Sequence, residues 1–346
     1  MLRAVALAAE SRGRTLPNPA VGCVVLDAEG VPVGEGWHRR AGGPHAEVLA
    51  LAAAGSRAGG GTAVVTLEPC AHTGRTGPCT QALLSAGIAR VVVGVPEPSS
   101  TAGGGAERLR AAGVDVQQMD GPERDAAEVV NAVWLTAVRR RRPYLTWKLA
   151  STLDGRVAAA DGSSRWITGA AARADVHRLR AECDTILVGV GTVLADDPSL
   201  TVRPDDGSIP GRQPLRVVAD THGRTPSNAQ VRDSAATTWV ATADQVGSGP
   251  DGRVDLRSLL TELYERERRH VLLEGGPTLA GAAVAAGLVD RVVAYLAPAL
   301  LGDGRAALGA AGVSTISATH RLKVVDVRRV GDDVRIEATP LPRPRP

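Results

Sequence analysis

The sequence predicts an α/β protein of two consecutive domains, residues 1–143 and 144–346. At 346 residues the chain is long enough for two hydrophobic cores. In both halves short β-branched runs alternate with Ala- and Leu-rich stretches, the pattern of helices layered on a sheet. The run Arg139-Arg140-Arg141-Arg142, followed by Pro143, ends a helical stretch before a new strand.

In the first half, residues 2–13 read as an amphipathic helix and 21–26 and 31–36 as a strand pair. Helices follow at 45–54, 79–86, 107–112 and 123–142, with strands at 63–67, 90–95 and 114–117. The second half opens with a strand at 144–150 and a loop at 154–168. Helices are expected at 170–182, 256–268 and 278–286. Strands are expected at 185–190, 215–219, 238–241, 270–273, 291–296, 322–327 and 334–338. Gly- and Pro-rich stretches at 203–214 and 246–252 read as surface loops.

Composition narrows the function classes. Hydrophobic residues are 44% and charged ones 22%, and Phe is absent, so Val, Leu and Ala must build the cores. A net charge of +3, with no basic face interleaved with aromatics, argues against a nucleic-acid partner. No apolar run reaches the roughly 18 residues that a membrane span requires. The first stretch, with Glu10, Arg12 and Arg14, reads as a helix rather than a signal peptide. Four cysteines give no disulfide framework: Cys23 and Cys183 read as buried small hydrophobes, Cys70 and Cys79 as metal ligands. Thiolate ligands point to a reducing compartment, hence the cytoplasm.

The chemistry begins at His45-Ala46-Glu47, followed by Pro69-Cys70 and then Cys79. One His and two thiolates fill three positions around zinc and leave the fourth for water, the pattern of a catalytic site. Such a metal makes its water acidic enough to act near neutral pH. Glu47, two residues from His45, is placed to move a proton between that water and a leaving amine. His-x-Glu with a later Pro-Cys marks zinc deaminases of nucleobases. Those usually read Pro-Cys-x-x-Cys; here the second Cys comes nine residues on, across a polar loop holding His72, Arg75 and Thr76. A closed structural site with His72 as fourth ligand is the competing reading, and it leaves Glu47 without a task.

On these residues the first half resembles the deaminase domain of the bifunctional riboflavin-biosynthesis deaminase/reductases. The matching stretches are Pro17-Asn18-Pro19-Ala20-Val21-Gly22-Cys23, Gly34-Glu35-Gly36-Trp37-His38, Gly43-Pro44-His45-Ala46-Glu47-Val48 and the run from Thr66 to Cys79. The chain departs from the family at Gly77, where Pro is usual, and at Glu97-Pro98-Ser99-Ser100, where Asp-Pro-Asn-Pro is usual. The resemblance implies a cytidine-deaminase-like zinc domain followed by a dihydrofolate-reductase-like domain. It implies substrate contacts at Asn18, His38, His72, Arg75 and Thr76.

The second half matches the same family's reductase at Lys148 to Arg156, Ser164-Arg165-Trp166-Ile167-Thr168, Gly189 to Pro198 and Leu200-Thr201-Val202-Arg203. Here Glu274-Gly275-Gly276-Pro277-Thr278-Leu279 follows an apolar strand and opens a helix. Glycines at such a turn let backbone N–H groups approach a phosphate, although the Gly-x-Gly-x-x-Gly fingerprint is absent. The resemblance implies NADPH held by Ser151, Trp166, Thr192, Asp196, Thr221, Gly276, Pro277, Thr278 and Leu279. It implies a phosphorylated pyrimidine ribotide held by Ser164, Arg180, Leu200, Arg203 and Glu274. Arg180 and Arg203 suit the phosphate, and Asp196 is the candidate to carry a proton to or from the sugar oxygens. Lys148 reads equally as a cofactor contact or an ion-pair partner. A homo-oligomer, dimer or tetramer, is expected on family grounds.

Overall fold

The computed structural model describes residues 1–72, 77–99, 103–203 and 212–342. They divide into two compact units, Met1–Arg141 and Arg142–Pro346.

The first unit runs α1 (Leu2–Ala9), β1 (Gly22–Leu26), β2 (Pro32–Trp37), α2 (Ala46–Ala54), β3 (Thr62–Leu67), α3 (Cys79–Ser85), β4 (Arg90–Val95), α4 (Gly105–Ala111), β5 (Asp115–Gln118), α5 (Gly121–Val130) and α6 (Ala132–Arg140). Its sheet has the order β2-β1-β3-β4-β5. The β2-β1-β3 part is antiparallel and β3-β4-β5 is parallel. Without Phe, the core is Ala and Val: Val25, Ala50, Ala63, Val65, Val91 and Val93 are fully buried. Small side chains demand close approach of the layers. A Cβ on Gly34 would lie 2.1 Å from the Ala50 carbonyl oxygen, and one on Gly36 would lie 2.4 Å from that of Ala46. The backbone of α2 therefore rests directly on β2.

The sequence predicts one helix over 123–142, and the structure has two. Asn131 separates them; it is almost fully buried, and its Oδ1 accepts the Ala20 N–H at 2.9 Å. A short amide that bonds backbone elsewhere is poor in a helix interior. Similarly, α1 stops at Ala9 rather than 13. The Ser11 hydroxyl donates to the Ala8 carbonyl, and Gly13 takes a φ of 71°.

The second unit runs β6 (Tyr144–Thr152), β7 (Arg156–Ala158), α7 (Ala170–Ala181), β8 (Thr185–Gly189), α8 (Val190–Asp196), β9 (Leu215–Ala219), β10 (Thr238–Ala241), α9 (Ala243–Val246), α10 (Leu256–Glu265), β11 (His270–Leu273), α11 (Pro277–Ala285), β12 (Arg291–Ala297), β13 (Arg305–Ala306), β14 (Leu322–Val330) and β15 (Asp333–Pro340). Eight strands make one sheet, β10-β9-β8-β11-β6-β12-β15-β14. The first six are parallel, and β15 and β14 add antiparallel. Both faces of a parallel sheet must be covered. Leu145, Trp147 and Leu273 pack under α10 and α11, while Leu272, Val293 and Tyr295 pack under α7. The loop expected over 154–168 contains β7, which pairs with β13. Partners so distant in sequence leave no local trace in so short a strand. Cys23 and Cys183 are buried, and all four cysteines are free. Among the described residues no helix is long and apolar enough to cross a membrane.

Candidate active sites

In the first unit, β3 ends at Leu67 and Glu68-Pro69-Cys70 turns off its end. Glu68 holds that turn: its Oε1 accepts the Ala106 N–H at 2.9 Å and its Oε2 the Glu97 N–H at 3.2 Å. Glycine at 105 permits the approach, since a Cβ there would lie 1.8 Å from the Pro69 carbonyl oxygen. His45 is the N-cap of α2, and Cys79 is the first residue of α3, preceded by Pro78.

These turns bring His45 Nδ1 to 3.0 Å from Cys79 Sγ and 3.6 Å from Cys70 Sγ; the three ligand atoms all lie within 4.8 Å of one another. Ligands around a tetrahedral zinc stand roughly 3.5–3.8 Å apart, so donor set and spacing fit that metal. The Cys70 thiol is lowered to about 4, first by the hydrogen bond from the Cys79 thiol, with His45 adding to it. The pair thus favours loss of a proton at Cys70, and thiolate is the form a metal binds.

Glu47 sits in the first turn of α2, only 3% exposed. Burial pushes its carboxyl up. His38 is also buried. Its Nδ1 lies 3.0 Å from the Pro44 carbonyl oxygen, and its Nε2 lies 3.2 Å from Asn18 Nδ2. A neutral ring donating to Pro44 and accepting from Asn18 satisfies both contacts, and burial lowers the His38 pKa to match. His38 is therefore fully engaged with protein. Asn18 is half-buried and His72 exposed beside Cys70, while Arg75 and Thr76 lie outside the described residues.

In the second unit, the loops after β6, β8, β9 and β11 surround a cleft of about 1640 Å³. Its wall includes Ser164, Trp166, Thr192, Asp196, Leu200, Arg203, Thr221, Arg180, Glu274 and Gly276 to Leu279. Ser151 is the exception among the expected residues. It lies within the interior strand β6, is 1% exposed and does not line the cleft.

At the cleft floor the buried Glu274 faces two cations. Arg180 Nε and Nη2 donate to its carboxylate at 2.5 and 3.0 Å, and Lys148 Nζ lies 3.5 Å away. Burial would raise the Glu274 carboxyl, but Arg180 and Lys148 hold it at about 2. Arg180 Nη1 also donates to the Thr201 carbonyl at 2.9 Å. Arg180, which lines the cleft, therefore has its Nε–Nη2 edge paired with Glu274. Arg203 is exposed at the wall, and its backbone N–H donates to His177 Nδ1 at 3.1 Å.

The N-cap of α11 is Gly276, and Pro277 at its first position has no N–H to satisfy. The N–H groups of Thr278 and Leu279 precede the first intrahelical bond, from Ala280 to Gly276. Without side chains at 275 and 276, a pyrophosphate can approach them. Thr192 stands beside this turn, its Oγ1 3.7 Å from where a Gly276 Cβ would be. These groups fit a dinucleotide. The Asp196 carboxylate makes no hydrogen bond or ion pair among the described residues, and Trp166 is 69% exposed with the Arg173 guanidinium 4.5 Å from its ring centre.

Similarity to known proteins follows the same division. Residues 1–95 match the cytidine and deoxycytidylate deaminase zinc-binding region, and residues 143–336 match the RibD C-terminal domain. The chain is 47% identical to the riboflavin biosynthesis protein RibD of Mycobacterium tuberculosis, over 93% of this chain and 91% of that one. With the Escherichia coli protein of the same name it shares 43% identity over 96% of each. Among solved structures, Acinetobacter baumannii RibD superposes with a TM-score of 0.88 at 39% identity, covering 99% of this chain and 98% of that one. The diaminohydroxyphosphoribosylaminopyrimidine deaminase/5-amino-6-(5-phosphoribosylamino)uracil reductase of Thermotoga maritima gives 0.86 at 35%, covering 99% and 97%.

Proposed function

The chain belongs to the RibD family of riboflavin-biosynthesis deaminase/reductases, and on that premise we propose how its own residues divide two reactions. It is a bifunctional enzyme. Its cytidine-deaminase-like domain hydrolytically deaminates 2,5-diamino-6-(ribosylamino)-4(3H)-pyrimidinone 5′-phosphate with zinc. Its dihydrofolate-reductase-like domain then reduces 5-amino-6-(5-phosphoribosylamino)uracil to the ribityl form with NADPH. We assign residues 1–143 to the first activity and 144–346 to the second, supported by the separate cores.

The observation that carries the deaminase reading is the ligand triangle with a buried acid beside it. Zinc, held by His45, Cys70 and Cys79, supplies the Lewis acidity that makes water nucleophilic near neutral pH. Glu47 takes the proton of the attacking water, passes it to the ring nitrogen and then serves the departing ammonia. Its raised carboxyl suits a group that must hold a proton between these deliveries. Asn18, His72, Arg75 and Thr76 hold the substrate. His38 acts through Asn18 and through the Pro44 carbonyl, which precedes His45; it is a positioning residue.

In the cleft NADPH supplies the hydride. Thr192, Thr221, Trp166 and the turn Gly276 to Leu279 hold the cofactor, and Ser151 supports them from within the strand. Ser164, Leu200 and Glu274 line the substrate, with Arg203 taking its phosphate. Arg180 and Lys148 fix Glu274 as a carboxylate. Asp196, whose carboxylate has no partner among the described residues, moves the proton that opening the ribose ring requires.

The partner is a pyrimidine substrate, which we take to be the phosphorylated ribotide. We further propose a homo-oligomer, with a second copy on the sheet edge at β14. Val324, Val325 and Val327 are each 57% exposed there, on a strand paired on one side only. An open apolar edge is a template for another strand. Val325→Lys should lower the sedimentation mass relative to the unsubstituted protein; an unchanged mass would reject this edge. Two free thiolate ligands need a reducing environment, which supports a cytoplasmic location.

Zinc-loaded protein given the diaminopyrimidinone ribotide and NADPH tests the whole reading. Ammonia release followed by NADPH oxidation is expected. Ammonia alone would point to a repurposed second domain, and neither signal would reject the assignment.

A further inference from the structure

The end of α8 and the loop after it bring Asp196, Leu200 and Arg203 to the cleft, and the backbone between them is strained. Pro198 has no N–H with which to extend α8 and disfavours a helical Asp197. Asp197 instead takes a φ of 39°, and Leu200 a φ of 50°. Neither is glycine, and a leucine in the left-handed region is rare. Such residues persist only where their surroundings fix them, and they gather at active sites.

Two sets of partners fix this loop. From Thr201 to Arg203 it is held through its backbone. Arg180 Nη1 donates to the Thr201 carbonyl at 2.9 Å. The Gln213 amide accepts the Val202 N–H at 2.8 Å and donates to the Val202 carbonyl at 3.1 Å. His177 Nδ1 accepts the Arg203 N–H at 3.1 Å.

From Asp197 to Ser199 the partner is the 3₁₀ turn Gln230–Arg232. The Gln230 N–H and Nε2 donate to the two carboxylate oxygens of Asp197 at 2.8 and 3.3 Å, and its Oε1 accepts the Ser199 hydroxyl at 3.0 Å. Gln230 is exposed, but Ala229 and Val231 on either side of it are buried in one cluster with Val193 and Leu200. The fully buried Arg216 joins the same two segments, donating to the Ser199 carbonyl at 3.1 Å and to the Asp233 carboxylate at 2.7 Å. Gln230 is therefore a fixed point on the core to which the bend is tied. The Asp196 carboxylate, next to that bend, has no partner of its own among the described residues; its backbone carbonyl accepts from Arg165 Nη2.

We propose that Gln230 is a positioning residue of the second reaction, holding the bend at Asp197 so that the Asp196 carboxylate meets the substrate in one orientation. Arg203 is placed by the other set of partners, so Gln230 governs the rate of reduction rather than affinity for the phosphorylated substrate. This inference rests on the reading of Asp196 as the proton carrier.

Steady-state kinetics of the full chain with NADPH and 5-amino-6-(5-phosphoribosylamino)uracil test it on Gln230→Ala, Asp196→Asn and the double variant. Gln230→Ala should lower kcat by roughly 10- to 100-fold, the scale of a slightly misplaced reacting group, with the KM for the uracil ribotide within about twofold and ammonia release unchanged. Because it acts through Asp196, it should cost almost nothing further in the Asp196→Asn protein. A kcat that stays normal in Gln230→Ala while Asp196→Asn is impaired would overturn the proposal alone, as would a loss confined to KM. Losses that multiply in the double variant would also overturn it, since they would make Gln230 an independent contact. A normal kcat in Asp196→Asn would bring down the reading of Asp196 and the proposal with it.

Discussion

The metal-binding corner of the first unit and the cleft of the second both lie where strands end and helices begin, but they differ in scale. In the first, three ligand atoms lie within 4.8 Å of one another, with Glu47 in the turn of helix that follows His45. In the second, loops from four strands surround about 1640 Å³. A small ion can be held by two helix starts and one turn, all set by backbone contacts. A dinucleotide and a sugar phosphate need several surfaces, each contributing little. The first site should therefore fail abruptly on single changes, and the second should fail piece by piece.

The largest expected effect is at Glu47. Glu47→Gln should retain zinc by metal analysis and slow ammonia release by about 10²–10⁴-fold, the usual contribution of a positioned acid–base group. Near-normal turnover would remove Glu47 from the proton path. Asp196→Asn should slow NADPH oxidation by a factor of about 10²–10⁴ while leaving deamination intact. A loss confined to NADPH affinity would instead make Asp196 a cofactor contact.

Glu274 sharpens the comparison on stability. Its carboxyl is held at about 2, below its ordinary 4.5, so its stabilising contribution is complete above that ordinary value and is lost as pH falls toward 2. Glu274→Gln leaves Arg180 and Lys148 facing no charge, and should cost about 3–5 kcal/mol of stability in denaturant unfolding at pH 7. The gap from the unsubstituted protein should narrow between pH 4.5 and 2. A gap that does not change with pH would mean that the carboxylate's charge is not what matters.

The smallest effect is expected at Gly36. A Cβ 2.4 Å from the Ala46 carbonyl must push α2 away, at about 1–3 kcal/mol. Since His45 and Glu47 begin that helix, Gly36→Ala should also speed zinc loss to a chelator. Normal zinc retention with reduced stability would separate packing from ligand placement.

The same contrast governs how much was legible in the sequence. His45, Glu47, Cys70 and Cys79 carry their chemistry in residue type and spacing, and the structure brings the three ligands together. The glycines of Gly34-Glu35-Gly36 could be noticed, but their reason could not, because it is contact with a helix that starts ten residues later. Most expected cleft residues line it, yet their roles depend on partners distant in sequence. Arg180 reads as a phosphate contact, and its pairing with Glu274, 94 residues on, has no local signal. His38 likewise looks available until Asn18 and Pro44 take both its nitrogens. The Asn131 break and the β7–β13 pairing are tertiary in origin, so no local pattern announces them.

Complementation between two damaged copies shows whether two separate sites on this chain act in a fixed order. Glu47→Gln protein and Asp196→Asn protein are each given the diaminopyrimidinone ribotide and NADPH, first separately and then mixed, with the ribityl product measured. Each alone should yield almost none. The mixture should produce it, and the Glu47→Gln protein alone should reduce supplied 5-amino-6-(5-phosphoribosylamino)uracil at the unsubstituted rate. A mixture that stays inactive although both proteins are folded and zinc-loaded would contradict the account.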